Sequence, residues 1–171
     1  MELIYALGFA CWVVASWKWG DWNNLDRYLS SIYFFITGSL LYSYLTAHRL
    51  LWEFESPTFH LKHFVIDLAM VFIVFPCVTV IFLSHYPTGA LKRIGYNLLW
   101  ASVFVFHEWI AHMLGVLTYH RDWNLWWSFL VDALMFPLLK LNQTKPFFAY
   151  GALLAINALF FARFGNAVHL P

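Results

Sequence analysis

Charged residues are scarce in this sequence of 171 residues. Asp, Glu, Lys and Arg make up 11% of it, whereas hydrophobic residues make up 62%. A soluble domain normally carries about 25% charged residues, so this chain has too few to cover a surface that faces water. The scarcity argues against an ordinary soluble domain.

Clusters of basic residues and cysteine motifs are also missing. The formal net charge is +1, and no run of Lys and Arg occurs, so we expect no nucleic-acid partner. The two cysteines, Cys11 and Cys77, each lie in an apolar stretch without a CxxC or Cys/His spacing. That setting predicts small buried helix residues and not a redox or zinc site.

What the sequence does contain is a series of long apolar stretches separated by short polar segments. A helix that crosses a bilayer needs about 20 apolar residues, and six stretches reach or approach that length. The sequence therefore predicts an all-α fold, a polytopic transmembrane helical bundle of about six spans, with residues 1–171 forming one domain. The predicted spans are residues 3–17, 28–52, 63–83, 94–119, 123–141 and 147–164.

The residues between the spans predict how the bundle lies in the bilayer. Cytoplasmic loops are enriched in Lys and Arg, and the first, third and fifth loops hold more of them than the opposite side. The imbalance predicts that both termini are outside. Trp123, Trp126 and Trp127 begin the fifth span, where tryptophan usually marks the level of the lipid headgroups.

Two carboxylates fall near the middle of adjacent predicted spans. Glu108 precedes the connecting turn at Arg121, and Asp132 follows it at a similar separation. Because antiparallel helices rise equally, by about 1.5 Å per residue, we expect the two side chains at nearly the same depth. Charged residues within membrane helices are costly and usually functional, so this pair is the candidate site.

Histidines accompany the pair. His107 directly precedes Glu108, and His112 follows it by one helical turn on the same face. Most other histidines fall toward the side that carries the termini. The pattern predicts a polar vestibule that narrows toward Glu108 and Asp132, with His112 and His107 as further members of an ion or proton pathway.

A metal site is another interpretation of the same residues. The HExxH zinc motif needs its histidines four residues apart, but His107 and His112 are five apart, or roughly 140° around a helix. A metalloprotease is therefore not predicted. Glu108, His112 and Asp132 could instead hold a divalent metal through two carboxylates and an imidazole; otherwise the sequence indicates no cofactor.

A second charged pair flanks the turn between the second and third spans. Arg49 and Asp67 lie at similar distances from Pro57 in that turn. Charges inside membrane proteins usually pair with one another, so these two residues are predicted to form a structural ion pair.

Several short segments between residues 21 and 137 form a recognisable set. They are residues 49–54 (RLLWEF), 73–77 (IVFPC), 82–87 (FLSHYP), 108–109 (EW) and 122–129 (DWNLWWSF), with Gly115, Tyr119 and Asp132. In these segments the chain resembles an uncharacterised family of small multi-pass membrane proteins of spore-forming bacilli (Firmicutes), which has a glutamate at the Glu108 position. The resemblance implies a protein of a bacterial cytoplasmic membrane, and it implies no established activity.

Relay or transport of protons or small cations through the polar core is the function that these residues favour. Two alternatives stay open: a non-catalytic membrane scaffold or assembly partner, and a membrane-embedded metal-dependent enzyme. The absence of a recognisable catalytic motif favours a role other than catalysis. The expected partner is the lipid bilayer, with a homo-oligomer or another membrane protein left open.

Overall fold

The structure, a computed structural model, describes residues 2–46, 50–55 and 63–164. It is 82% helical, which confirms the all-α prediction. Six helices make up nearly all of the described chain. They are α1 (Glu2–Trp19), α2 (Asp26–Thr46), α3 (His63–Ser84), α4 (Ala90–Met113), α5 (Leu125–Asn142) and α6 (Pro146–Phe164).

Two of these helices, α3 and α6, are long and apolar enough on their own to cross a membrane, as far as the described residues go. The residues from Leu3 to Trp19 form a shorter apolar helix. The other three helices carry more aromatic and polar residues, including Lys92, Arg93 and Asn97 in α4. By length and composition, therefore, two of the six predicted spans are candidates for crossing a membrane among the described residues.

Consecutive helices run in opposite directions, which gives the bundle two different ends. The packed end contains the C-terminal halves of α1, α3 and α5 and the N-terminal halves of α2, α4 and α6. The cavity end contains the opposite halves of the same helices. Both ends of the described chain, at Glu2 and Phe164, lie at the cavity end.

The packed end has an aromatic core around Phe82. Its side chain is fully buried, and its ring centroid lies 4.9 Å from that of Phe136, 5.3 Å from that of Tyr96 and 5.9 Å from that of Trp100. Aromatic pairs at such separations contribute about 0.5–1.5 kcal/mol beyond the area they bury. This core holds α3, α4 and α5 together.

Helix α3 contains one wide turn, the π-helical segment Met70–Val74. Pro76 lies two residues after its end, and proline lacks an N–H and clashes with the carbonyl four residues earlier. The wide turn accommodates that defect without breaking the helix. The cysteine of α3, Cys77, is buried, but Cys11 of α1 is exposed. The prediction that both cysteines are buried is therefore wrong for Cys11.

Helix α4 ends at Met113, and not at residue 119 as the sequence prediction had it. Gly115 has a φ of +68°, its N–H donates to the His112 carbonyl, and the Val116 N–H donates to the Ala111 carbonyl. This pair of hydrogen bonds is the Schellman motif, which closes a helix at a glycine in the left-handed conformation.

Two short strands lie across the cavity end. Strands β1 (Trp52–Phe54) and β2 (Leu117–Tyr119) pair in antiparallel fashion, with Glu53 opposite Thr118. Tyr5 of α1 donates a hydrogen bond to the carbonyl of Glu55 beside this sheet. The predicted second span, which extended to residue 52, therefore overlaps β1, because α2 ends at Thr46.

Candidate functional site

A cavity of about 260 Å³ occupies the middle of the cavity end. All six helices contribute to its wall, together with β1 and β2. Most of the wall is apolar and much of it is aromatic. Three carboxylates interrupt this surface: Asp67 from α3, Glu108 from α4 and Asp132 from α5. The two residues of the predicted pair thus face one cavity.

Glu108 is held by a chain of hydrogen bonds. The Ser128 hydroxyl donates to its Oε1 at 2.6 Å, and the Tyr119 hydroxyl donates to the same atom at 2.8 Å. The indole Nε1 of buried Trp123 donates in turn to Ser128 Oγ at 2.9 Å. No hydrogen bond among the described residues reaches Glu108 Oε2, so one carboxyl oxygen is fixed and the other can take up a proton or a cation.

Tyr119 links Glu108 to the histidine at the surface. Burial, with a further contribution from the Glu108 carboxyl, raises the pKa of Tyr119 well above its usual value, so the phenol keeps its proton and donates it. The His112 ring lies against the Tyr119 ring at 4.7 Å between centroids. His112 Nδ1 is 3.0 Å from the Leu117 carbonyl, which places its proton on Nδ1 and leaves Nε2 as the basic atom.

Asp132 differs from Glu108 in the surroundings of its carboxyl group. Its carboxyl lines the cavity, and it makes no hydrogen bond to any residue in the described ranges. The Glu108 carboxyl is close enough to act on it electrostatically. Asp132 is only partly buried, so a proton or a ligand inside the cavity can reach its carboxyl group.

Asp67 lies elsewhere on the same wall. The Ser43 hydroxyl donates to its Oδ2 at 2.7 Å. A second cavity of about 370 Å³ meets the first at Asp67, Tyr42 and Trp52, and extends to Glu53 at the surface. The predicted partner of Asp67, Arg49, lies outside the described residues, so their ion pair stays a prediction.

His107 is at the edge of the cavity and apart from the hydrogen-bond chain. Its ring packs edge-on against Trp12 of α1, with 6.3 Å between centroids. A Cβ built at Gly8 would lie 3.7 Å from His107 Nε2. His107 therefore contacts α1, whereas His112 contacts β2, and the two histidines do not converge.

A metal centre has little support in this arrangement. Nowhere in residues 2–46, 50–55 and 63–164 do three His, Cys, Asp or Glu side chains come together in a group that could hold a metal ion. His112 is turned toward the Leu117 carbonyl and Tyr119, so the predicted set of Glu108, His112 and Asp132 is not assembled as a group of ligands.

Three residues of the site were not identified from the sequence. Tyr119 and Ser128 are the donors to Glu108, and Trp123 supports Ser128. We predicted Trp123 to lie at the lipid headgroups, but it is 5% exposed and packs against Trp52 and Phe160; that prediction is wrong for Trp123. Trp126, at 73% exposed, does face outward.

Comparison of the chain with protein-family models, with curated proteins and with solved structures finds no match. The functional interpretation therefore depends on the geometry of the cavity and on the chemistry of its wall.

Proposed function

We propose that this protein is a multi-pass protein of a bacterial cytoplasmic membrane that relays protons or small cations through the cavity end. The observation that carries the proposal is the placement of Glu108 and Asp132. They come from adjacent helices to the wall of one apolar cavity, and a chain of side chains leads from Glu108 to the surface.

The outer faces of the helices support the membrane placement. Many large apolar side chains face away from the bundle on every helix, and contiguous apolar surface of this kind usually marks contact with lipid or with another protein. Among the most exposed are Leu3, Leu91, Phe147, Phe148 and Leu159. With the basic loops in the cytoplasm, the cavity end and both termini would face outward.

The relay would use the carboxyl oxygens that carry no fixed hydrogen bond. A proton or cation entering the cavity can pass between Asp132 and Glu108 Oε2 while Tyr119 and Ser128 hold Oε1 in place. On the surface side, His112 offers a basic Nε2 next to the Tyr119 ring. Carboxylic acids and histidine exchange protons readily near neutral pH when their surroundings are suitable.

Proton flux into vesicles tests this proposal. The full chain is reconstituted into phosphatidylethanolamine–phosphatidylglycerol vesicles that enclose a pH-sensitive dye, and a pH gradient is imposed with the membrane potential clamped. We expect flux above that of protein-free vesicles, and we expect Glu108→Gln to reduce it to the protein-free level. Gln keeps the size of the side chain and an acceptor for Tyr119 but cannot exchange a proton.

Asp26→Asn is the control, because Asp26 is exposed at the start of α2 and lines neither cavity. Its flux should equal that of the wild type. Equal flux from the wild type and Glu108→Gln would contradict the proposal. Absence of flux from every folded variant would favour a scaffold, and metal in the purified protein that is lost with His112→Ala would favour an enzyme.

A further inference from the structure

The wall of the central cavity combines two features that are seldom found together. Aromatic rings approach it from five helices and from the sheet, and they include Phe9, Trp12, Phe35, Phe75, Phe104 and Phe160. Aromatic faces carry partial negative charge and attract cations, and they do so most strongly where water is excluded. The aromatic wall alone would also accept a neutral apolar molecule.

The charges on the wall select between these ligands. Three carboxylates line the cavity, and its described lining includes no Lys or Arg. A negative ligand would meet only repulsion there, and a neutral ligand would leave Asp132 without a partner. A cation would pair with Asp132 and with Glu108 Oε2, neither of which has a hydrogen bond in the described part of the chain.

The size of the cavity and its mostly apolar wall favour an organic cation over a hydrated metal ion. A cavity of about 150 Å³ lined by apolar side chains accepts a benzene ring, and this one measures about 260 Å³. Ca²⁺ and Mg²⁺ require six or more oxygen ligands or retained water, and Zn²⁺ usually takes three or four ligands from Cys, His, Asp or Glu. Few of the lining residues can supply oxygen ligands, and no three-residue metal group occurs among the described residues.

We infer that the cavity binds a small organic ammonium ion with one apolar or aromatic substituent. Its charged nitrogen would lie between Asp132 and Glu108, and its apolar part would lie against the aromatic wall. This inference rests on the proposed relay function, since the ammonium ion and the proton would exchange at the same two carboxyl groups.

Equilibrium dialysis of the full chain in detergent, against a protein-free micelle blank, tests the inference with phenyltrimethylammonium as the probe. We expect saturable binding that is at least about tenfold tighter, or about 1.4 kcal/mol, than binding of tetramethylammonium, which has the charge without the ring. Benzoate, which has the ring with the opposite charge, should not bind.

Asp132→Asn should weaken phenyltrimethylammonium binding about tenfold or more, whereas Asp26→Asn, at an exposed residue of α2, should leave it unchanged.

A second variant separates occupation of the cavity from charge. A Cβ at Gly8 meets only His107 within 4 Å, so Gly8→Ala should bind the probe as the wild type does. Gly8→Phe would extend a ring into the cavity and should abolish binding while the protein stays folded, as checked by gel filtration. Equal binding by the wild type, Asp132→Asn and Gly8→Phe would overturn the inference, and so would the absence of saturable binding.

The flux assay distinguishes this failure from failure of the proposed relay. If proton flux depends on Glu108 but phenyltrimethylammonium does not bind, the inferred ligand is contradicted and the proposed relay is still supported. Binding that depends on Asp132, without flux from any variant, would support the ligand site and contradict the relay.

Discussion

The two ends of this bundle are built from the same six helices but differ in how closely their side chains pack. At the packed end, Phe82 and Phe136 are almost completely buried and fill the space between α3, α4 and α5. At the cavity end, the same three helices separate around a space of about 260 Å³ into which Glu108 and Asp132 project. Protein interiors are normally close-packed, so the hollow end is the exception that needs an explanation.

The polar side chains inside the two ends differ in charge. At the packed end they are neutral: the buried hydroxyls of Ser31 and Thr79 donate to main-chain carbonyls of Leu139 and Phe75 at 2.9 and 2.7 Å, and buried oxygens of Ser16, Asn97 and Asn142 have no hydrogen bond among the described residues. At the cavity end they are carboxylates, and Asp132 has no hydrogen bond in the described part of the chain. The two ends therefore differ in the open space and the acidic groups of the cavity end, and not in how completely their polar atoms are paired.

The largest expected effect comes from truncating the aromatic core. Phe82→Ala removes a fully buried ring and should lower the free energy of unfolding by about 3–5 kcal/mol. Phe104→Ala removes a ring that borders the cavity and should cost less than half as much, because little packing is lost on the cavity side. Unfolding in detergent by SDS titration measures both; equal losses would show that the two ends do not differ in packing.

An intermediate effect is expected from breaking the hydrogen bonds that support Glu108. Ser128→Ala leaves the buried Trp123 Nε1–H without its acceptor and should cost about 1–3 kcal/mol of unfolding free energy. Ser102→Ala is the control, since that exposed hydroxyl donates only to the Leu98 carbonyl of its own helix. The same SDS titration compares the two variants. If Ser128→Ala lowers the free energy of unfolding no more than Ser102→Ala does, the hydrogen bonds through Ser128 do not stabilise the protein.

The smallest effects on stability are expected at two glycines, Gly115 just after the end of α4 and Gly95 within it. Gly115 has a φ of +68°, so Gly115→Ala should destabilise by about 1–2 kcal/mol, the usual cost of a left-handed side chain. Gly95 lies within the helix with open space around it, so Gly95→Ala should stabilise by about 0.5–1 kcal/mol. Thermal unfolding in detergent should shift in opposite directions for the two variants, and shifts of the same sign would show that Gly115 does not close the helix.

Much of the fold could be predicted because apolar length is a local property of the sequence. Each predicted span overlaps a helix, and the similar separations of Glu108 and Asp132 from Arg121 were sufficient to place both on one cavity. The end of α4 could also have been predicted, because glycine commonly ends a helix and Gly115 lies in that position. The apolar residues after Gly115 led the predicted span to continue to residue 119.

The sheet and the support of Glu108 could not be predicted in the same way. Strands β1 and β2 pair across more than sixty residues of sequence, with Trp52 opposite Tyr119, and three-residue strands have no recognisable periodicity of their own. Tyr119 reaches Glu108 only because the chain turns back at Gly115 and pairs with β1. Such contacts depend on the tertiary arrangement and not on spacing along one helix.

The most direct test of the account replaces Asp132 with leucine and measures stability and flux on the same preparation. If this carboxyl, which has no hydrogen bond among the described residues, is kept for function, Asp132→Leu should raise the free energy of unfolding, because leucine adds apolar contact with the apolar wall of the cavity, and it should abolish proton flux. The corresponding change at hydrogen-bonded Asp67, Asp67→Leu, should lower the unfolding free energy because Ser43 loses its acceptor. An Asp132→Leu protein that is less stable than the wild type and still conducts protons would contradict the account.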